Sequence, residues 1–168
     1  MAQAHIKMIP AMHASDSGFS APAKTSATFV EGAPVKLSSG SLVACSTANK
    51  SSTTHVKASS LNTMIGIAGG KTTSGATANV LVHKWQEGME FIGNLVHTTA
   101  ASAKVSKIGS TVYVGKAKSS DTNYGFSLTA PSSTSVPTAV ITRLIDPAST
   151  VNGRVQAIVT LGGALSAF

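Results

Sequence analysis

Six carboxylates, Asp16, Glu31, Glu87, Glu90, Asp121 and Asp146, are the chain's whole supply of acidic acid/base groups, and only Glu87 and Glu90 lie close together. In a strand a separation of three puts two side chains on opposite faces, and in a loop both would be solvated, so this pair does not form a general acid/base couple. The five histidines, His5, His13, His55, His83 and His97, show neither His-x-His nor His-Glu-x-x-His spacing, and the single cysteine, Cys45, offers no second thiolate. That pattern indicates no zinc site. His83 is within a turn of Glu87, and a strand-end histidine reads as a surface or interface residue. Gly66-Ile67-Ala68-Gly69-Gly70-Lys71-Thr72 resembles a phosphate-binding loop, but only three residues separate Gly66 from Gly70 where the loop needs four, and Thr73-Ser74-Gly75-Ala76-Thr77 leads to a strand rather than a helix. No Gly-x-Ser-x-Gly elbow occurs. The expectation is a chain with no catalytic, cofactor-binding or metal-binding residues: not an enzyme, and with no cofactor.

What remains is the chemistry of contact. Trp85, Met89 and Phe91 form the largest local apolar group and, because Trp85 follows a completed strand inside a polar Lys-Trp-Gln-Glu segment, they are read as a subunit interface. Ile6, Met8, Ile9, Met12 and Phe19 are spaced irregularly among Ala, Ser, His and Pro, without sustained periodicity. Together with Lys7 they read as the anchors of an extended N-terminal arm over residues 1–28, which gains its order on a partner.

Composition says what kind of partner. Only 11% of the 168 residues are charged, against about 25% in ordinary soluble domains, and Ser, Thr, Ala and Gly take their place. Small uncharged side chains lose little entropy on close packing, which suits a protein that works through contacts. The net charge of +7 favours a neutral or acidic partner. The basic residues are scattered as singles and aromatics make up 5%, so neither the phosphate footprint nor the stacking platform of a nucleic-acid binder is present. No apolar run reaches the length of about 18 residues that a membrane span needs, and Lys7, Pro10 and two histidines interrupt the N-terminus where a signal peptide would be apolar. Nucleic acid and membrane are therefore not expected partners. Cys45, within Leu42-Val43-Ala44-Cys45, reads as a buried small hydrophobe.

These residues are positioned by strands. From Phe29 onward short β-branched runs alternate with Gly, Asn, Pro and Ser clusters, which predicts an all-β body, barrel-like, β-tulip-like or sandwich, over residues 29–168. Strands are expected near 33–37, 41–45, 63–68, 78–83, 90–96, 103–107, 111–116, 124–129, 138–145 and 154–161. Residues 46–60 are polar and read as an exposed loop. Asn152-Gly153 supplies the positive φ angles of a type I′ turn, which makes the last strand the return leg of a hairpin. One helical turn is conceivable at Thr98–Lys107 or Trp85–Glu90, where Gly88 opposes it. Gly32-Ala33-Pro34-Val35-Lys36-Leu37 resembles Gly109-Ser110-Thr111-Val112-Tyr113-Val114, and strands led by Ile65 and Ile141 and then by Val80 and Val155 follow at similar spacing, which suggests two related β-units of about 29–97 and 98–168.

The segments Phe29-Val30-Glu31-Gly32-Ala33-Pro34-Val35, Met64-Ile65-Gly66-Ile67-Ala68, Ala78-Asn79-Val80-Leu81-Val82 and Gly88-Met89-Glu90-Phe91 resemble the head decoration (capsid cement) proteins of tailed bacteriophages, over roughly residues 29–95, with a weaker echo at Ile145-Asp146 and Gly153-Arg154-Val155. The resemblance implies a compact β-fold, usually a homotrimer, on the outer capsid surface of the virion. It implies binding to the major capsid protein lattice, with an N-terminal arm clamping neighbouring coat subunits. The longer 46–60 segment and the extra C-terminal strands depart from the smallest members. A receptor- or glycan-binding β-module of a tail or fibre stands as the alternative; it would need exposed aromatics, for which Trp85, Tyr113 and Tyr124 are available.

Overall fold

A computed structural model describes residues 9–11, 18–50, 53–56, 64–96, 108–116, 122–128, 138–147 and 150–160. Among these the fold is all-β, in two antiparallel sheets with a sandwich-like body and no helix. The strands are β1 (Ile9–Pro10), β2 (Gly18–Pro22), β3 (Pro34–Ser38), β4 (Ser41–Ala44), β5 (Thr47–Lys50), β6 (Thr53–Val56), β7 (Met64–Ala68), β8 (Asn79–Lys84), β9 (Glu90–Asn94), β10 (Thr111–Lys116), β11 (Gly125–Ser127), β12 (Thr138–Leu144) and β13 (Arg154–Thr160). One sheet runs β2-β8-β7-β3-β4. The other runs β1-β9-β13-β12-β10-β6-β5, with β11 also paired to β10.

Alternation selects the buried face of each strand. In β13 Val155, Ala157 and Val159 are buried while Arg154, Gln156 and Ile158 are less so, and in β8 Val80 and Val82 are buried between exposed Asn79 and Leu81. Phe91, Phe126, Leu42, Ile67, Leu95 and Ile141, drawn from both sheets, are the largest fully buried side chains of a single core.

The two sheets are built on one plan. The order β2-β8-β7-β3-β4 recurs as β9-β13-β12-β10-β11, with the strands used in the same chain sequence. Pro34 and Val35 pair with Ile67 and Gly66, as Thr111 and Val112 pair with Val140 and Ala139. Gly32 N–H donates to Ala68 O (2.7 Å) and Gly109 N–H to Ile141 O (2.8 Å); Gly32 and Gly109 have φ of 87° and 90°. Ala68 N–H donates to Ala33 O (2.8 Å), and Ile141 N–H to Ser110 O (3.0 Å). In each unit the same parallel bridge joins the end of the first strand to the third, Ala23 to Leu42 and Leu95 to Phe126, with Lys24 N–H on Leu42 O (3.0 Å) and Val96 N–H on Phe126 O (2.8 Å). The Gly32–Leu37 and Gly109–Val114 stretches thus sit at matching places. The two units, however, run over 18–84 and 90–160, so β9 opens the second unit instead of closing the first.

Other expectations need correction too. Residues 18–28, read as arm, belong to the body: β2 pairs with β8 along its whole length, and Ala21, Ala23 and Ala27 are buried. Within the segment read as an exposed 46–60 loop, β5 and β6 pair with each other, and β6 pairs with β10. Threonine-rich segments suit an edge hairpin, whose backbone is paired while its side chains need not be apolar. The turn before β13 has one left-handed residue, Asn152 (φ 52°), and closes with Gly153 N–H on Thr150 O (3.3 Å); Gly153 lacks the positive φ of a type I′ turn. The expected hairpin of β12 and β13 is present. Trp85–Glu90 forms a turn with Gly88 at φ 84° rather than a helix, and the other proposed helical turn and the 103–107 strand lie outside the described residues.

Candidate functional site

Of the residues read as arm anchors, Ile6, Lys7, Met8 and Met12 lie outside the described residues. Ile9 pairs with Ile92 on the edge of β9, next to Pro10 opposite Phe91, and Ala11 N–H donates to Glu90 O (2.8 Å). Phe19 pairs with Val82 and packs against the core. Ile9 and Phe19 are therefore body residues, each at a sheet edge.

The aromatic group expected at a subunit interface is internal. Phe91 has no exposure and Trp85 has 6%; their rings stack at 5.1 Å, and Met89 packs against the same core. The polar neighbours of Trp85 point away from it: Lys84, Gln86 and Glu87 are exposed while the indole is turned inward. Sequence polarity around a tryptophan here marks a strand end, not a contact surface.

The titratable groups do structural work. Asp146 Oδ1 accepts from Arg154 Nη2 (2.7 Å), and Oδ2 accepts from Nε (3.0 Å) and from the Arg154 backbone N–H (2.9 Å). The side-chain bonds first, then the backbone bond, hold the Asp146 carboxyl below its ordinary range. Glu90 accepts from Gln156 Nε2 (2.6 Å) and Thr142 Oγ1 (3.4 Å), which ties β9, β13 and β12 together on one sheet face, while Glu87 sits in the exposed turn. Cys45 is buried, and desolvation pushes its thiol up to about 12, so it is not a thiolate nucleophile. Burial, opposed by the charge of Glu31, lowers the pKa of His83. Thr72, in the loop that resembles a phosphate cradle, is buried and exchanges two backbone bonds with Phe29, Phe29 N–H to Thr72 O (3.2 Å) and Thr72 N–H to Phe29 O (2.9 Å). Among the described residues no three His, Cys, Asp or Glu gather as a metal site, and no helix is long and apolar enough to cross a membrane.

The aromatics a glycan site would use are largely withdrawn. Tyr124 is 8% exposed, lies under the Lys116 ammonium at 5.2 Å, and its hydroxyl is pushed up to about 12, chiefly by burial; Tyr113 packs against the core. Among the described residues the exposed large apolar side chains are Leu37, Leu81, Ile108 and Val151. Sequence reasoning missed Leu81 because it lies within the continuous apolar run Val80-Leu81-Val82, where composition does not tell inward from outward. Leu81 lies opposite Ser20 of the terminal strand β2 and leans over Gly18, at which an added Cβ would stand 3.1 Å from Leu81 Cδ1. Leu81, beside the small residues Gly18 and Ser20 of β2, is one exposed apolar point of the described surface. Comparison with protein-family models, with curated proteins and with solved structures finds no match.

Proposed function

We propose that this chain is a capsid decoration protein, which binds the outer surface of a tailed-phage head and stabilises the coat lattice as a homotrimer. One observation carries the reading. The segments that bear the resemblance are not scattered: Pro34–Val35, Met64–Ala68 and Asn79–Val82 fall on β3, β7 and β8, three adjacent strands of one sheet, and Glu90–Phe91 opens the next unit. The Ile65-Gly66-Ile67-Ala68 glycine has a physical reason, because a Cβ at Gly66 would collide with the backbone of His83 on the neighbouring strand. A charge-poor β-body with net charge +7 suits close seating on an acidic lattice. The burial of Trp85 and Tyr124 counts against the glycan-binding alternative, which needs exposed rings.

The test is binding to heads of the phage that carries the chain, stripped of decoration, with a glycan array in parallel. Binding to heads is expected, with an association rate that falls as salt rises while dissociation changes less, since screening acts on long-range steering. An association rate indifferent to salt would remove the electrostatic part. Glycan capture without head binding would replace the reading with its alternative.

A further inference from the structure

Asn152-Gly153 is the chain's one Asn-Gly pair, and forming a turn does not exhaust its chemistry. In such a pair the glycine backbone nitrogen can attack the asparagine side-chain carbonyl, because the glycine has no side chain to hinder the approach. The new N–Cγ bond closes a succinimide, and the Cγ–Nδ2 bond breaks with loss of ammonia. Water then opens the ring to aspartate or, at the other carbonyl, to isoaspartate. Attack asks two things of the backbone: the glycine N–H must leave its hydrogen bond, and the asparagine carbonyl must swing as its ψ angle changes.

The fold resists both. Gly153 is buried, its N–H donates to Thr150 O (3.3 Å), and its carbonyl accepts from Leu95 N–H (2.9 Å). The Asn152 carbonyl accepts from Asn94 Nδ2 at 2.7 Å, the shortest of the three bonds. Asn94 is 1% exposed and lies on β9 opposite Arg154 of β13. Burying an amide side chain is costly unless it is hydrogen-bonded. The plan shared by the two units does not call for one: matching the parallel bridges sets Asn94 at the place of Pro22, which is exposed and lies opposite Asn79. Asn94 therefore serves this turn and not the strand order.

Asn152 itself is in the left-handed region, at φ 52°, where asparagine is tolerated better than most residues. Its Oδ1 is buried and accepts no hydrogen bond among the described residues. Deamidation would place a carboxylate there, close to Asp146, whose Cβ stands 3.5 Å from where a Cβ on Gly153 would lie. A buried charge with no partner is strongly disfavoured. Isoaspartate would also lengthen the main chain by one atom inside the turn, so the product cannot close as Asn152 does and the change is one-way.

We infer that Asn152 is a site of spontaneous deamidation, held shut by the Asn94 side chain and released when the turn before β13 opens. The inference stands apart from head binding. The test incubates the full chain at mildly alkaline pH, in buffer and in concentrated urea, and follows isoaspartate at residue 152 by peptide mapping with mass spectrometry. Folded wild type is expected to form it at least about tenfold more slowly than the unfolded chain, a factor that a local opening cost of about 1.4 kcal/mol produces. Folded Asn94→Ala is expected to recover most of that factor. Ile67→Val, which loosens the core from the other sheet, is expected to stay near wild type. Should Asn94→Ala not fold, hydrogen exchange of the Gly153 amide in wild type takes its place, with protection expected to match the slowing. Equal rates in buffer and urea, an Asn94→Ala chain as slow as wild type, an Ile67→Val chain as fast as Asn94→Ala, or a freely exchanging Gly153 amide would each overturn the inference.

Discussion

Single residues hold this fold by fitting backbone against backbone. A Cβ at Gly66 would strike His83 O, and a Cβ at Gly125 would strike Asn94 O; in both cases the obstacle is main chain on a neighbouring strand. Gly66→Ala and Gly125→Ala are each expected to cost about 1–3 kcal/mol, the usual range for overpacking, read as a lower urea midpoint with an unchanged slope. A midpoint equal to wild type would show that the strands can part without cost. Asp146 supplies a different handle. Its pKa is lowered in the folded state, so its stabilising effect is fully present above its unfolded value of about 3.9 and is lost as pH falls through the lower folded value. Wild type should therefore melt higher than Asp146→Asn at pH 6, and the gap should close by pH 2. A gap that stays constant with pH would assign the difference to packing. None of this was legible from residue types alone. Asp146 and Arg154 are eight positions apart, and only the β12–β13 hairpin brings them to 2.7 Å.

At the scale of elements, the sequence is read well wherever an apolar alternation has one buried face. β7, β8, β10, β12 and β13 lie within a residue of their expected bounds because Ile, Val and Leu recur with period two between Gly, Asn and Pro signals. β2 escaped because Gly-Phe-Ser-Ala-Pro buries only alanine fully and carries both a glycine and a proline. β5 and β6 escaped because they are polar strands at the end of a sheet, held by pairing with each other and, through β6, with β10 rather than by an apolar pattern of their own. This redraws the N-terminal boundary. Removing residues 1–8 is expected to leave the melting temperature within about 2 °C of wild type, whereas removing 1–22 should lower it by at least about 5 °C, since it deletes β2 and bares the edge of β8 with which it pairs. Equal melting of both truncations would contradict the placing of β2 in the body.

The whole molecule is one core serving two units of the same strand order, with β1 and the β5–β6 hairpin added to the second. The repeat was readable from Gly32–Leu37 against Gly109–Val114, since a positive-φ glycine followed by a β-branched run is a local signature. The limits of the units were not, because β9 lies next to β8 in sequence yet joins the other sheet. The candidate contact surface was only half legible: the sequence marked Trp85 and Phe91, which are buried, and passed over Leu81, whose exposure follows from the sheet and not from its neighbours in the chain. The central claim is that this body seats on a phage head. Its most direct test is saturation binding to stripped heads by co-sedimentation, with bound chains counted against coat subunits. The account expects saturable binding that ends at three chains for each occupied local threefold position. Chains that stay in the supernatant, or pellet without saturating, would contradict it.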